Sequence, residues 1–104
     1  MSDIVRPGTP LCLIMLTYCA PIEQVDALMP AHGAWLRQLF AEDLIVVCGR
    51  CEPRTGGIIV CRGRKADVEA LAATDPFVIE GVATIEVSEF AASMAHPALA
   101  DLLA

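Results

Sequence analysis

The sequence predicts an α+β domain of the ferredoxin-like class, with the element order β-α-β-β-α-β and an antiparallel sheet. One observation behind this is the order of hydrophobic patterns, which alternate between the two-residue period of strands and the 3.6-residue period of helices. The others are a length of 104 residues, which allows one domain, and a hydrophobic content of 56%, which is typical of a globular core. We therefore expect a folded domain at residues 11–91, an N-terminal arm at 1–10 and a C-terminal tail at 92–104 that holds a short helix.

The first half of the chain predicts a strand, a helix and a second strand. Residues 11–18 are apolar on both faces, which indicates a strand covered on both sides. Pro30 is expected to begin a helix that runs to about Glu42, because proline is tolerated at the first helical position. Residues 21–29 are then a polar connection with room for one helical turn, and the second strand follows at 44–51. The helical spacing predicts an inward face made of Ala31, Trp35, Leu36, Leu39 and Phe40.

The second half predicts a hairpin, a short helix and a last strand. A glycine-containing loop at 52–57 leads into a third strand at 58–62, which is expected to pair with the second strand. Residues 64–74 have the pattern of an amphipathic helix, and a turn is predicted at 77–81. Residues 82–90 alternate apolar and polar side chains, which is typical of a half-buried strand.

The apolar strands predict that the protein assembles with itself. Two helices cover only one face of such a sheet, yet the first two predicted strands are apolar on both faces. The mean hydropathy of +0.59 also suggests more apolar surface than one small core hides. We expect a homodimer, or a higher homo-oligomer, that packs through the uncovered sheet face.

Charge and hydropathy disfavour several other classes of protein. Seven Lys and Arg residues against thirteen Asp and Glu residues give a net charge of −6, the wrong sign for a nucleic-acid partner. The longest apolar run, residues 11–16, is far shorter than the roughly 18 residues of a membrane helix, and no signal-peptide pattern is present. The five cysteines are an odd number and lie mostly in apolar runs, which disfavours a disulfide framework. We expect a cytoplasmic protein with no membrane partner.

The predicted topology brings three chemically capable residues to one edge of the sheet. The first helix begins at that edge, the 52–57 loop lies there, and the second helix ends there, so His32, Arg54 and Asp75 are neighbours. His32 falls in the first turn of the predicted helix, where it is either a neutral base or a core histidine bonded to backbone. Asp75 either orients that imidazole or caps the turn at Pro76.

Two further pairs of residues are candidate binding groups. Arg50 and Arg54 share the same edge, where their guanidinium groups either hold a substrate anion or simply solvate the hairpin. Cys48 and Cys51 have the spacing of a metal or redox pair. They end a strand instead of beginning a helix, and no second pair completes a zinc tetrahedron. We therefore predict no metal site and no cofactor.

Three short motifs in the correct order resemble the YCII-related (YciI-like) family. They are Pro30-Ala31-His32 followed by Trp35-Leu36, then Pro53-Arg54-Thr55-Gly56-Gly57 before a strand, then Asp75-Pro76-Phe77-Val78 with Gly81. The resemblance spans residues 11–90 nearly completely. It implies a dimeric α+β barrel related to muconolactone isomerase, with His32 and Asp75 paired in a cleft. We predict Arg54 and Gly57 as substrate-binding residues. Proposed activities in the family are proton transfer or hydrogen halide elimination on small oxidised ring compounds.

Two classes of function remain open at this point. One is a cofactor-independent lyase or isomerase for a small anionic ring compound, in which His32 takes a proton, Asp75 orients it and Arg54 binds the anion. The alternative is a non-catalytic dimeric module that binds a metabolite or assists another enzyme. A cavity open to His32, with His32 bonded to Asp75, favours a working pocket, whereas a His32 bonded to backbone favours a structural role.

Overall fold

The computed structural model describes residues 6–104, which form a four-stranded antiparallel sheet with the helices on one face. The strands have the order β2-β3-β1-β4, and every neighbouring pair is antiparallel. This is the ferredoxin-like arrangement, so the predicted fold class is confirmed. Residues 1–5 of the predicted N-terminal arm lie outside the described residues. The elements are β1 (Pro10–Tyr18), α1 (Ile22–Ala41), β2 (Ile45–Arg50), β3 (Gly56–Arg62), α2 (Lys65–Ala72), α3 (Pro76–Ile79), β4 (Ala83–Ala91) and a 3₁₀ turn at Pro97–Leu99.

The main core lies between the helices and one face of the sheet. On the central strand β1, the alternate residues Cys12, Ile14 and Leu16 point to the helices and are buried. Val25 of α1 and Phe77 of α3 pack onto this face. Fully burying a side chain of this size stabilises the fold by about 1.5–3 kcal/mol. The burial of these side chains therefore holds α1 and α3 against the sheet.

The helix α1 begins at Ile22, well before the predicted start at Pro30, and Pro30 lies inside it. The sequence prediction was wrong here because a proline in a helix interior loses a single backbone hydrogen bond. Val25 is fully buried and Leu28 packs against the core, and this burial stabilises the two turns that precede Pro30.

The earlier start of α1 also changes which side chains face inward. The buried residues are Val25, His32 and Leu39, which follow one face at a spacing of seven residues. Trp35 and Leu36 are half-buried beside them, as predicted, whereas the predicted inward residues Ala31 and Phe40 are exposed. His32 is buried on the inner side of α1, one turn before Leu36, whereas its neighbour Ala31 is exposed.

The second half of the chain follows the predicted order with one addition. The strands β2 and β3 pair as a hairpin, with a bulge between Ile45 and Val47. Pro76 follows the end of α2, as predicted, but it also begins the single-turn helix α3 where a turn was predicted. Proline fits both places because the first helical position has no backbone N–H partner to lose.

The C-terminal tail covers one end of the sheet face that the helices leave open. Leu103 is buried against Leu11 of β1, and Leu99 packs beside them. Backbone hydrogen bonds join Gly8 N–H to the Ala92 carbonyl at 3.0 Å and Ala92 N–H to the Thr9 carbonyl at 2.9 Å. The predicted helix at 98–103 is a 3₁₀ turn followed by further turns, and the open face is smaller than the two-helix topology predicts. Across residues 6–104, none of the helices combines the length and apolar character of a membrane span.

Candidate active site

A cavity of about 220 Å³ opens between α1 and the end of the sheet where β1 and β2 finish. Its helix wall includes Met29, His32 and Leu36, and Phe77 of α3 closes the same side. The sheet wall is formed by residues from the ends of β1, β2 and β3. Most of the lining is apolar, so the few polar groups that reach it decide its chemistry. Those groups belong to Tyr18, His32, Cys48 and Arg50.

His32 lines this cavity and makes a side-chain contact with Asp75, which is not part of the cavity wall. His32 Nδ1 lies 2.9 Å from Asp75 Oδ1, although the two residues are far apart in sequence. His32 is 8% exposed and Asp75 is 1% exposed, so both lie out of bulk water. His32 sits near the middle of α1 and not in its first turn, because the helix begins at Ile22. The prediction that His32 lies in the first turn is therefore wrong. The field of the helix N-terminus fades beyond the first turn and does not act on His32.

Asp75 serves the imidazole and the backbone at the same time. Its Oδ1 also accepts the Phe77 N–H at 3.0 Å, so Asp75 is the N-cap of α3 as well as the partner of His32. An ionised carboxylate only accepts hydrogen bonds, so the imidazole tautomer that fits this contact carries its proton on Nδ1 and leaves the Nε2 lone pair free. Asp75 Oδ2 is buried without a partner, so the carboxylate interacts chiefly through Oδ1.

Aromatic rings fix the orientation of His32. The Phe77 ring stacks on the imidazole with centroids 4.0 Å apart and planes within 9°. Trp35 stacks at 6.0 Å, and its Nε1–H donates to Thr74 Oγ1 at 2.9 Å, which joins α1 to the segment that carries Asp75. Sequence reasoning missed Phe77 and Tyr18 as walls of the site. The signal was available, because Phe77 follows Asp75 within one motif and Tyr18 ends β1 at the predicted edge.

The two predicted substrate-binding residues have different surroundings. Arg54 Nη2 lies 2.6 Å from Asp26 Oδ1, and its guanidinium group is 5.9 Å from the centre of the Tyr18 ring. This hydrogen bond raises the pKa of Arg54 above its ordinary value, and Arg54 is not part of the cavity wall. Gly57 does line the cavity, and a methyl group there would stand 3.0 Å from the Gly49 carbonyl oxygen.

Cys48 and Cys61 lack the properties of reactive thiols. Burial raises the pKa of the Cys48 thiol, and burial beside Cys12 and Cys48 raises the pKa of Cys61 to about 11. A thiol needs to be a thiolate to act as a nucleophile or a metal ligand. All five cysteines are free thiols in the structure, and Cys48 packs against the main core. Within residues 6–104, no three His, Cys, Asp or Glu side chains gather as a metal site.

A family model for the YCII-related domain matches residues 11–91. The chain belongs to the YCII-related family. Among solved structures, this YCII-related domain is similar to 5-chloro-2-hydroxyhydroquinone dehydrochlorinase (TftG) from Burkholderia phenoliruptrix AC1100, which was solved in complex with 2,5-dihydroxybenzoquinone. The TM-score is 0.65 at 24% identity, over 75% of this chain and 90% of that chain, which shows a shared fold. A search of curated proteins finds no match.

Proposed function

We propose that this YCII-related protein is a cofactor-independent lyase or isomerase that acts on a small anionic ring compound. The observation that carries the proposal is the position of His32, which lines the cavity while buried Asp75 holds its Nδ1 at 2.9 Å. The remaining ring nitrogen, Nε2, is then available to take a proton from a ligand. This arrangement supports a working pocket over a purely structural histidine, whose ring nitrogens would bond to backbone.

The cavity volume supports a single-ring substrate. A protein cavity of about 150 Å³ holds benzene, so about 220 Å³ leaves room for a six-membered ring with a few substituents. In the proposed reaction, His32 Nε2 accepts a proton from a ring hydroxyl, and the electron pair moves into the ring. The Asp75 carboxylate stabilises the imidazolium that forms. Return of the proton to a ring carbon completes an isomerisation to the keto form. When that carbon carries chlorine, loss of chloride together with a second hydroxyl proton completes an elimination of hydrogen chloride and leaves the quinone.

The structural neighbour suggests the chemical class of the substrate. TftG is named for a dehydrochlorination and was solved with a quinone ligand. Such rings are flat, largely apolar and polar only at their edge oxygens, which matches an apolar cavity with few polar groups. We therefore propose hydroxylated aromatic rings and quinones as the substrate class.

The direct test uses 5-chloro-2-hydroxyhydroquinone as the substrate. We expect chloride release above the rate in buffer, followed with a chloride electrode under anaerobic conditions. An isomerase without elimination would instead exchange ring protons for deuterium in D₂O, which proton NMR detects. If neither rate exceeds that of buffer while the ring compound still binds, the proposed catalysis is contradicted and the alternative of a non-catalytic binding module is supported.

We also propose that the protein is a homodimer that packs through the part of the open sheet face that the tail leaves uncovered. Met15, Val47 and Phe90 lie on this face and are 42%, 57% and 46% exposed. Exposed apolar side chains on a single sheet face are the usual mark of a subunit interface.

Light scattering is expected to give about twice the chain mass of 11.1 kDa at micromolar concentration. The variant Met15→Glu puts a charge in the middle of the face and should give the monomer mass. The matched control is Phe40→Glu, which changes an exposed apolar residue on α1 and should leave the dimer intact. A wild-type protein that stays monomeric contradicts this assembly.

A further inference from the structure

Arg50 is the one cationic side chain in the cavity wall that has no acidic partner among residues 6–104. Two other basic side chains near the site already have acidic partners, since His32 bonds to Asp75 and Arg54 bonds to Asp26. An unpaired guanidinium beside an apolar cavity attracts an anion more strongly than a paired one, because no existing ion pair has to be broken.

The position of Arg50 in the sheet directs it toward the cavity. Arg50 is the last residue of β2 and stands in register with Gly57 of β3, where no side chain fills the space beside it. Strand alternation places Arg50 on the same sheet face as Cys48 and Ile59, which is the face that meets the helices. Arg50 thus borders the cavity from the sheet wall, whereas His32 borders it from the helix wall.

The other residues of the cavity wall offer no second cationic side chain for this role. Between His32 and Arg50 the cavity is lined by aliphatic and aromatic side chains, by the neutral Cys48 thiol and by Tyr18. A ligand that matches this wall is a flat apolar ring with an anionic oxygen at the end that meets Arg50. The predicted anion site at Arg54 lies outside the wall and is neutralised by Asp26.

We propose that Arg50 binds the anionic oxygen of the ring and selects ionised hydroxy- or carboxy-substituted rings over neutral ones. This inference rests on the proposed function. It adds the charge of the substrate and the residue that binds the charged oxygen. When His32 Nε2 removes a proton, the new negative charge spreads onto the ring oxygens. Arg50 then stabilises both the bound anion and the charge that develops on the ring.

The test measures binding at equilibrium, with quenching of the fluorescence of the single tryptophan, Trp35, which stacks beside His32. The anionic probe is 2,5-dihydroxybenzoquinone, whose hydroxyl groups are vinylogous carboxylic acids that ionise at neutral pH. The neutral probe is hydroquinone. Arg50→Gln is expected to weaken binding of the anion by about ten- to a hundredfold, the usual effect of losing a charged hydrogen bond. Binding of hydroquinone should change less than about twofold.

Three further variants separate the charge of Arg50 from other effects. Arg50→Lys keeps the charge and should recover part of the anion binding. Arg37→Gln, at an exposed position of α1, removes the same charge away from the cavity and should leave both probes unaffected. Arg54→Gln should leave the preference for the anionic over the neutral probe. The proposal is overturned if Arg54→Gln abolishes that preference, or if Arg50→Gln weakens both probes equally.

Failure of this inference differs from failure of the proposed function. Arg50-dependent binding of the anion without chloride release or ring-proton exchange would keep the anion site and overturn the proposed catalysis. Chloride release together with anion binding that is indifferent to Arg50 would keep the catalysis and overturn the role of Arg50. Absence of anion binding in the wild-type protein would overturn the Arg50 site whatever the activity.

Discussion

The variant His32→Asn is expected to lose about 10²- to 10⁴-fold in the rate of chloride release, the range that a positioned general base contributes. The asparagine amide still offers an N–H to Asp75, so the buried carboxylate keeps a donor, but no lone pair replaces that of Nε2. Asp75→Asn should lower the rate as well, because the imidazolium then lacks a negative partner. It should still fold, since asparagine also caps a helix such as α3.

The control for this prediction is the other histidine of the chain. His96 caps the 3₁₀ turn of the tail through its Nδ1, which accepts the Ala98 N–H at 3.0 Å. Asparagine is a good cap in the same position, so His96→Asn should leave the rate of chloride release unchanged. If His32→Asn remains folded and retains most of the wild-type rate, His32 is not the base.

Gly56→Ala is expected to destabilise the domain by at least about 3 kcal/mol, at the upper end of what overpacking costs. A methyl group at Gly56 would stand 1.8 Å from the carbonyl oxygen of Leu16 and 2.8 Å from its carbonyl carbon. Both atoms belong to the backbone of the central strand β1, so no side chain can rotate away. The pairing of β1 with β3 would have to open at Thr17, next to the cavity.

Urea unfolding measures this effect as a shift of the transition midpoint. The matched control is Gly49→Ala on β2, where an added methyl group meets no atom within 4 Å. We expect that variant to stay within about 1 kcal/mol of the wild-type stability, as exposed glycine positions in strands usually do. Equal midpoints for the two variants would show that the close approach at Gly56 is relieved at little cost.

The sequence was sufficient for the topology, because strand direction depends only on the order of the elements. The contact between His32 and Asp75 is present, but His32 reaches it from the middle of α1 and not from the predicted first turn, so the sequence placed the two residues together on a premise that was partly wrong. The start of α1 could not be predicted, because a local rule about Pro30 competes with the burial of Val25, which only the folded core provides. Tertiary packing commonly overrides local propensity in this way.

The start of α1 also bears on the choice of Arg54 as the anion-binding residue. Asp26 lies in the segment that was predicted to be a polar connection with room for one helical turn, so its position on α1 beside the β2–β3 loop could not be anticipated. Once that segment is helical, Asp26 neutralises Arg54, and Arg50 remains as the available cation. The tail was equally hard to place, because its contacts with the sheet rest on a few residues such as Leu99 and Leu103.

The tail gives the open sheet face two unlike ends. At one end Leu103 rests on Leu11, whereas the apolar residues around Met15 stay uncovered toward the other end. In the proposed dimer, a second sheet that slid along the first toward Leu11 would collide with the tail. Residues 92–104 would then limit the position of one sheet relative to the other in the dimer. The alternation of residues along the strands does not by itself define that position.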